Sequence, residues 1–256
     1  PFGHKTLRQK YMEPHETSPQ EAYARAAIAY ADDEAHAQRI YDYVSKQWFM
    51  FASPVLSNAG NDRGLPISCF LNNVDDSRQG LIDHYAENVW LASLGGGIGA
   101  NWSNVRSDGS KTSTGSTSTG IVPFIKMCDS EILAFQQGVT RRGAYAAYLD
   151  ISHPEIEEFI KIRNPDGGQI DRKCLNIHIG VNITDSFMEH LKSGDPWPLI
   201  VPNSGEVVKT VDPRHLWNEI LVVRSGPGGE PYLFFIDTAN RALPQELKDQ
   251  GHKITH

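Results

Sequence analysis

The sequence predicts an α/β fold, in which short strands alternate with helices around a largely parallel sheet or barrel. Three observations indicate it: several apolar runs have the length of strands, helix-start signals stand between them, and a helical segment precedes them all. Strands separated by helices are typical of a parallel α/β sheet. The 256 residues, 39% of them hydrophobic, suffice for a sizeable core and fit one or two domains.

The first part of the chain reads as two helices over residues 18–48. The segment Ser18–Glu21 has the pattern of a capping box with proline in the first turn, which predicts a helix start. Apolar residues recur at helical spacing after it, and a second run places apolar side chains from Ile40 to Phe49 on one face. We therefore expect a helical segment over 1–50 and the α/β part over 51–256.

The predicted strands follow residue 51. They are Leu65–Val74, Ile98–Val105, Ala144–Ile151, Asn176–Ile183 and Tyr232–Asp237. Asp or Ser followed by Pro is a helix-start signal, and helices are expected to begin at Ser77, near Thr119, at His153-Pro154, at Thr184 and at Asp212-Pro213. The Ser/Thr/Gly-rich segment 107–120 has no apolar residue to anchor it, so we expect a mobile loop there.

Charge and composition exclude several classes of function. Lys and Arg number 24 against 31 Asp and Glu, and the net charge of −7 disfavours nonspecific binding to DNA, RNA or a membrane surface. Apolar stretches stay too short for a transmembrane helix, so none is predicted. The three cysteines are far apart, which argues against a disulfide framework and for a reducing compartment, and we expect a cytoplasmic protein.

The cysteines differ in what their surroundings predict. Cys69 lies inside the first predicted strand, where a lone cysteine is usually a small buried hydrophobic residue. An accessible thiol with a lowered pKa would instead be a nucleophile or redox group, and both interpretations stay open. Cys128 falls within a predicted helix and favours core packing, and Cys174 follows two basic residues and suggests no chemistry.

The glycine-rich run 93–99 lies after a helix and before a strand. Phosphate-binding glycine loops run from a strand into a helix, so this run has neither the dinucleotide-binding nor the P-loop pattern. The glycines indicate a tight turn or a close approach of the backbone to another group, and a nucleotide remains one such group.

Other polar residues give weaker signals. Asp76 and Ser77 are explained as a plain helix N-cap. Arg141 and Arg142 stand beside glycines and have the chemistry to grip a phosphate or stack on a base. The histidines lack the spacing of metal ligands, so no metal site is predicted.

Several motifs in one order closely resemble the catalytic chain of aerobic ribonucleotide reductases. They are ASPVLSNAG at 52–60, LPISCFL at 65–71, SLGGGIGAN at 93–101, RRGA at 141–144 and YLFFID at 232–237. The match runs from about residue 15 to residue 256. The resemblance implies a ten-stranded α/β barrel made of two five-stranded halves, with 51–256 as the first half. It also implies thiyl-radical reduction of the ribose 2′-hydroxyl of a ribonucleotide, which we expect to be a diphosphate.

The resemblance implies roles for particular residues. Cys69 matches the first member of a cysteine pair that supplies two electrons and becomes a disulfide. The implied substrate-binding residues are Ser53, Ser68, Cys69, Gly97 and Arg142. The implied effector-binding residues are Asp76, Ser77, Ser93, Asn101, Arg106, Gln137 and Arg141. Segments 106–120 and 137–143 match two specificity loops, the second of which would report the effector's base to the substrate site.

Partners are implied by the resemblance as well. The radical would come from a metal-containing small subunit or, in the cobalamin-dependent version of the family, from adenosylcobalamin, with no cofactor bound by this chain itself. A thioredoxin- or glutaredoxin-type reductant would restore the cysteine pair. We expect a ribonucleotide substrate, a deoxynucleotide or ATP effector and a homo-oligomer, and neither DNA, RNA nor a membrane as a partner.

Departures from the family pattern limit these expectations. An Asn-x-Cys-x-Glu motif, which holds the partner of Cys69 and a catalytic Glu, would follow His256, and the radical cysteine would follow later. We therefore expect this N-terminal half to be active only with the C-terminal half and a radical source. Cys128 and Cys174 do not match those positions. The ATP-cone is not seen either, so overall control by ATP and dATP is not expected. A non-catalytic nucleotide-binding fragment stays open as an alternative.

Overall fold

The computed structural model describes residues 2–135, 142–226 and 228–256. Gln137 and Arg141, two of the predicted effector residues, lie outside the described residues. The chain divides into two compact units. Unit 1 comprises the described residues of Pro1–Cys69, Leu91–Gly97 and Gln136–Gly143, and unit 2 comprises those of Phe70–Trp90, Ile98–Phe135 and Ala144–His256.

Four helices precede the first strand. They are α1 (Phe2–Lys10), α2 (Pro19–Ala29), α3 (Glu34–Ser45) and α4 (Ser53–Asn58). The two helices predicted over 18–48 are α2 and α3. Alanine side chains let neighbouring helices approach closely, and Ala22 and Ala26 of α2 are buried in one cluster with Val44 and Leu56. Arg25 forms a partly buried ion pair with Glu16, with Nε 2.7 Å from Oε1.

The predicted capping box at the start of α2 is wrong in detail. Ser18 is the N-cap residue, but its side chain makes no capping hydrogen bond. The carboxylate of Glu21 reaches one residue further back and accepts hydrogen bonds from the backbone N–H and the hydroxyl of Thr17, at 2.8 and 2.7 Å. The carboxylate of Glu21 therefore binds Thr17 instead of the backbone N–H of Ser18, which the capping-box pattern predicts as its partner.

The second predicted helix ends earlier than its apolar pattern suggested. Helix α3 ends at Ser45 because Gln47 adopts a positive φ of 60°. Gln47 N–H donates to Val44 O at 3.0 Å and Trp48 N–H donates to Tyr43 O at 3.0 Å, which is the Schellman pattern of a helix end. The Trp48 ring stacks on that of Tyr43 at 5.3 Å, so Trp48 and Phe49 lie beyond the helix rather than on its buried face.

A five-stranded sheet follows, together with a separate hairpin. The strands are β1 (Cys69–Asn73), β2 (Gly97–Asn101), β3 (Ala144–Asp150), β4 (His178–Ile183), β5 (Trp197–Ile200), β6 (Val207–Val211) and β7 (Tyr232–Phe235). The sheet order is β1-β2-β3-β4-β7, and β4 pairs in parallel with both β3 and β7. All five predicted strands are confirmed, with shorter bounds, and so is the α/β fold class.

Helices connect these strands. They are α5 (Arg78–Ser93), α6 (Val122–Ala134), α7 (Ile156–Phe159), α8 (Asp185–Ser193), α9 (Pro213–Arg224), α10 (Ile236–Ala242) and α11 (Gln245–Asp249), with a short 3-10 turn at Ile170–Arg172. The predicted helix starts at Ser77, Thr184 and Asp212 are confirmed as the residues next to α5, α8 and α9. Among the described residues, no helix combines the length and apolar character needed to cross a membrane.

The antiparallel hairpin of β5 and β6 was not predicted. Trp197 pairs with Val211 and Leu199 with Lys209, and the register is irregular between Leu199 and Ile200. Its turn contains the polar segment 202–206, which is a recognisable turn signal. Pro198 is the second residue of the short strand β5. A proline inside an apolar run argues against a strand, although edge strands tolerate it where central ones do not, and this disguised the signal.

Candidate functional site

Cys69 is the first residue of β1, and its side chain is exposed. The hydroxyl of the preceding residue, Ser68, lies 3.9 Å from the Cys69 sulfur. Gly97, the first residue of β2, donates its backbone N–H to the carbonyl of Ser68 at 2.6 Å. Unit 1 therefore brings three of the predicted substrate residues together: Ser68, Cys69 and Gly97.

The other two cysteines have the opposite environment. Cys128 in α6 and Cys174 are fully buried. Burial raises the pKa of the Cys174 thiol to about 12 and that of the Cys128 thiol still further above its usual range. A thiol must ionise and be reached to react, so neither residue has the properties of a redox cysteine. Core packing of Cys128 is confirmed, and for Cys69 the structure favours accessibility over burial.

Ser53, another predicted substrate residue, is the first residue of α4 and is half-buried. Its hydroxyl lies 3.0 Å from the hydroxyl of Tyr11, which orients the serine side chain within unit 1. Tyr11 was missed by the sequence reasoning, because 42 residues separate it from Ser53 and no motif marks it.

The glycine-rich run ends a helix, as its position predicts. Gly95 has a positive φ of 77°, and its N–H donates to Ala92 O at 2.9 Å. The next N–H, from Gly96, donates to Leu91 O at 2.8 Å, so α5 ends in a Schellman pattern. This tight turn delivers the chain to Gly97 and hence to the backbone of Ser68.

A close backbone approach occurs beside that turn. A Cβ atom at Gly143 would lie 2.9 Å from the carbonyl oxygen of Ala92, so Gly143 packs directly on the end of α5. The exposed Arg142 immediately precedes this contact. Arg142, the last of the predicted substrate residues, is therefore attached to the chain next to the turn that leads to Gly97.

Two predicted effector residues form an ion pair in unit 2. Arg106 Nε lies 2.9 Å from both carboxylate oxygens of Asp76, and hydrogen bonding to that carboxylate raises the pKa of the guanidinium. Arg106 also donates to the carbonyl of Lys111 at 2.7 Å. Asn203, in the turn of the β5–β6 hairpin, donates to Asp76 as well. The sequence reasoning missed Asn203, which is 127 residues away from Asp76.

The N-cap interpretation of Asp76 and Ser77 is correct for Ser77 alone. Its hydroxyl accepts a hydrogen bond from the N–H of Gly80 at 2.9 Å, in the first turn of α5. Asp76 lies outside this cap, because its carboxylate is engaged by Arg106. The two neighbouring residues thus separate into a helix cap and a charged group.

The remaining predicted effector residues have different surroundings. Asn101 is buried, and its side chain donates to Asn73 Oδ1 and accepts from Ser103 N–H, each at 3.1 Å. Ser93 is the last residue of α5 and belongs to unit 1, whereas Asp76 and Arg106 belong to unit 2. Their assignment to an effector site stays a prediction.

The segment predicted as a mobile loop, 107–120, follows a defined hydrogen-bonded path. Thr112 N–H donates to Ser116 O at 2.9 Å and Ser118 N–H donates to Ser110 O at 2.8 Å, around an antiparallel bridge between Lys111 and Thr117. Backbone pairing thus replaces the apolar anchor that the segment lacks. Within the described ranges, no three His, Cys, Asp or Glu side chains lie together as a metal site would require.

Comparison with known proteins identifies the family. A family model described as "Ribonucleotide reductase, all-alpha domain" matches residues 1–64, and one described as "Ribonucleotide reductase, barrel domain" matches residues 67–255. A putative ribonucleoside-diphosphate reductase large subunit of Frog virus 3 is 48% identical over 85% of this chain and 37% of its own length. A vitamin B12-dependent ribonucleoside-diphosphate reductase of Mycobacterium tuberculosis is 32% identical over 81% of this chain and 30% of its own length.

The fold comparison agrees. The class Id ribonucleotide reductase alpha subunit of Actinobacillus ureae superposes with a TM-score of 0.80 at 28% identity, covering 99% of this chain and 44% of that one. The chain spans less than half the length of each of these relatives. Because the barrel-domain model alone matches well over half of its residues, the chain belongs to the ribonucleotide reductase large-subunit family.

Proposed function

We propose that this chain is the first half of a ribonucleotide reductase catalytic subunit, which reduces ribonucleoside diphosphates to deoxyribonucleotides. The observation that carries the proposal is the exposed thiol of Cys69, held beside Ser68 and Gly97 at the start of two neighbouring strands. Its residues divide into an N-terminal helical segment, 1–50, and the first half of the barrel, 51–256.

The reaction needs two electrons, and Cys69 supplies one of the two thiols. The C2′–O bond of the ribose breaks and a C2′–H bond forms, water leaves, and two thiols become one disulfide. Cys128 and Cys174 are buried, so the second thiol comes from another segment of the catalytic subunit. Ser53, Ser68, Gly97 and Arg142 bind the substrate, with hydroxyl and N–H groups for its sugar and phosphates and a guanidinium for its negative charge.

The effector site is built around Asp76 and Arg106. A carboxylate accepts hydrogen bonds from sugar hydroxyls, and a guanidinium donates to phosphate oxygens, so this pair suits a deoxynucleoside triphosphate or ATP. Ser77 supports the pair by capping α5. The parts given to Ser93, Asn101, Gln137 and Arg141 in effector binding rest on the resemblance of their motifs alone. Effector binding then selects the substrate through segments 106–120 and 137–143.

The partners follow from this role. The C-terminal half of the catalytic subunit supplies the rest of the barrel, and a metal-containing small subunit supplies the radical. A thioredoxin- or glutaredoxin-type protein reduces the disulfide, and the complex works as a homo-oligomer in the cytoplasm. Similarity to a vitamin B12-dependent relative supports a second candidate, in which adenosylcobalamin is the radical source.

Reconstitution tests the proposal directly. Mixing the chain with the matching C-terminal half, a radical source and a thioredoxin system should give deoxynucleotide formation, which Cys69→Ser should abolish. Cys174→Ala is the matched control, because it removes a buried thiol and should leave the activity in place. Full thioredoxin-dependent activity in Cys69→Ser would overturn the role given to Cys69. Dependence of the activity on a metal-containing subunit or on adenosylcobalamin decides between the two radical sources.

Calorimetry separates the enzyme from a non-catalytic nucleotide-binding fragment. Titrating the isolated chain with dTTP, dATP and dGTP measures effector binding without any partner. Binding combined with no turnover in the reconstituted mixture would favour the fragment, whereas no binding at millimolar ligand would contradict the effector site itself.

A further inference from the structure

One buried carboxylate holds both ends of segment 107–120. Glu155 Oε2 accepts a hydrogen bond from Asp108 N–H at 3.1 Å, near the start of the segment. At its far end, Ile121 N–H lies 3.2 Å from Oε1 and 3.0 Å from Oε2 of the same carboxylate. Glu155 is only 8% exposed, so these bonds form where water competes weakly.

The residue before Ile121 has to be glycine for this arrangement. Gly120 has a positive φ of 77°, and a Cβ atom there would lie 2.2 Å from Glu155 Oε1. That distance is far below van der Waals contact, so any side chain at position 120 would displace the carboxylate. The short distance between Gly120 and Glu155 Oε1 is a separate observation from the hydrogen bonds. Both place the carboxylate against the backbone at residues 120 and 121.

His153 binds the backbone just before the segment. Its Nε2 lies 2.9 Å from the carbonyl oxygen of Val105, the residue before Arg106. Its Nδ1 lies 3.2 Å from the N–H of Glu155 and accepts from it. Burial lowers the pKa of His153 to about 4, so the ring is neutral and carries its proton on Nε2, which matches both contacts.

Burial raises the pKa of Glu155 to about 7, while the backbone N–H groups of Ile121 and Asp108 and the charge of Arg172 favour its ionised form. Ile121 is the N-cap residue of α6 and has no side-chain cap of its own, so Glu155 lies at the positive end of that helix. Arg172 Nη2 lies 3.9 Å from Glu155 Oε1 while its guanidinium binds Glu158. Glu155 therefore connects the start of segment 107–120, at Asp108, to the N-terminus of α6.

We propose that His153 and Glu155 are positioning residues that fix both ends of segment 107–120 and thereby hold Arg106 in the geometry that binds the effector. The argument is geometric. Val105 and Ile121 flank the segment, and Asp108 is its second residue. The His–Glu pair binds all three, and Arg106 lies between Val105 and Asp108. The expected change in effector affinity rests on the proposed function. The expected anchoring of segment 107–120 by the His–Glu pair does not depend on that function.

Glu155→Gln tests the proposal, because glutamine keeps the size of the side chain but replaces one acceptor oxygen with an NH2 group. Hydrogen exchange followed by mass spectrometry should show about tenfold faster exchange over 105–121, with the strands β3 and β4 unchanged. The Kd for dTTP should rise about tenfold, which corresponds to about 1.4 kcal/mol. Glu158→Gln is the matched control, since it makes the same Glu-to-Gln change three residues away, at a side chain that binds Arg172 rather than the segment.

A second variant covers the case in which Glu155→Gln fails to fold. His153→Asn retains an acceptor near Glu155 N–H but loses the donor to Val105, and it should accelerate exchange at the first end of the segment. Wild-type exchange over 105–121 in a folded Glu155→Gln or His153→Asn variant would overturn the proposal. If the wild-type chain binds no dTTP, the effector site is wrong, and the exchange rates alone still decide whether the His–Glu pair orders the segment.

Discussion

Arg106 donates its Nε–H between the two carboxylate oxygens of Asp76, at 2.9 Å from each. The side chains are 23% and 18% exposed, so the pair is shielded but reachable from solvent. A pair placed in this way is available to a ligand that carries both hydroxyls and phosphates.

Asp76→Asn should weaken the binding of dTTP about tenfold, because the neutral amide neither orients Arg106 nor balances its charge. Titration calorimetry measures the Kd. Asp83→Asn is the control, since Asp83 is exposed and bonds only to Gln79 within α5. Equal affinity of wild type and Asp76→Asn would remove Asp76 from the effector site.

Cys69 should react with iodoacetamide in the native chain, whereas Cys128 and Cys174 should not. The reason is access: the first thiol is exposed and the other two are fully buried. Peptide mass spectrometry after brief labelling identifies the alkylated residues, and labelling in denaturant should modify all three. Native labelling of Cys128 or Cys174 at the rate of Cys69 would contradict the burial on which the assignment depends.

The rings of His84 and His153 should each destabilise the fold as the pH drops from about 6.5 to about 4, because burial lowers the pKa of both to about 4. Glu131 and Glu155, whose pKa values burial raises to about 7, act in the opposite direction over part of this range. The unfolded chain protonates these rings near pH 6.5 and so binds more protons than the folded one below that pH. The stability of the fold with neutral rings is fully present above pH 6.5. Below about pH 4, about 3 kcal/mol of it has been lost for each ring. Urea unfolding across this range measures it.

A matched pair of variants isolates this effect. His84→Gln should lose less stability than the wild type between about pH 6.5 and about pH 4, because a buried titrating ring is removed. His215→Gln is the control for the His-to-Gln change itself, since the side chain of His215 is 68% exposed. A slope in His84→Gln as steep as in the wild type would mean that other groups cause the acid sensitivity.

The isolated chain should dimerise or aggregate rather than remain a soluble monomer. Trp90 of α5 and Met127 of α6 are 73% and 53% exposed, and the edge strands β1 and β7 have backbone groups available for pairing. Sedimentation velocity should show a species larger than 28.5 kDa, and Trp90→Glu should shift it towards the monomer. A fully monomeric wild type would contradict this expectation.

Local signals predicted the parts of the fold that depend on neighbouring residues. The strands β3 and β4 and the caps at Ser77 and Asp212 could be located because apolar runs and capping side chains act within a few positions. The hairpin of β5 and β6 could not, since its strands are short and mostly decided by tertiary packing.

The candidate site shows the same division. Motifs singled out Asp76 and Arg106 as candidates, but these two residues are 30 positions apart, and a third residue, which also binds Asp76, is more remote still. Asn203 reaches Asp76, and Glu155 reaches the backbone of Asp108, across long stretches of chain, at pairings that no spacing rule encodes. The burial of the Glu155 carboxylate against backbone N–H groups depends on the tertiary fold, so the sequence alone does not predict it.

The contact between Gly120 and Glu155 links the two positions in any variant of this protein. A residue with a side chain at 120 would displace the Glu155 carboxylate and strain the backbone at its φ of 77°, and a shorter residue at 155 loses the backbone contacts of Asp108 and Ile121. Related chains are therefore expected to change these positions together or not at all. Such paired substitutions would mark the lineages in which the segment is anchored by some other means.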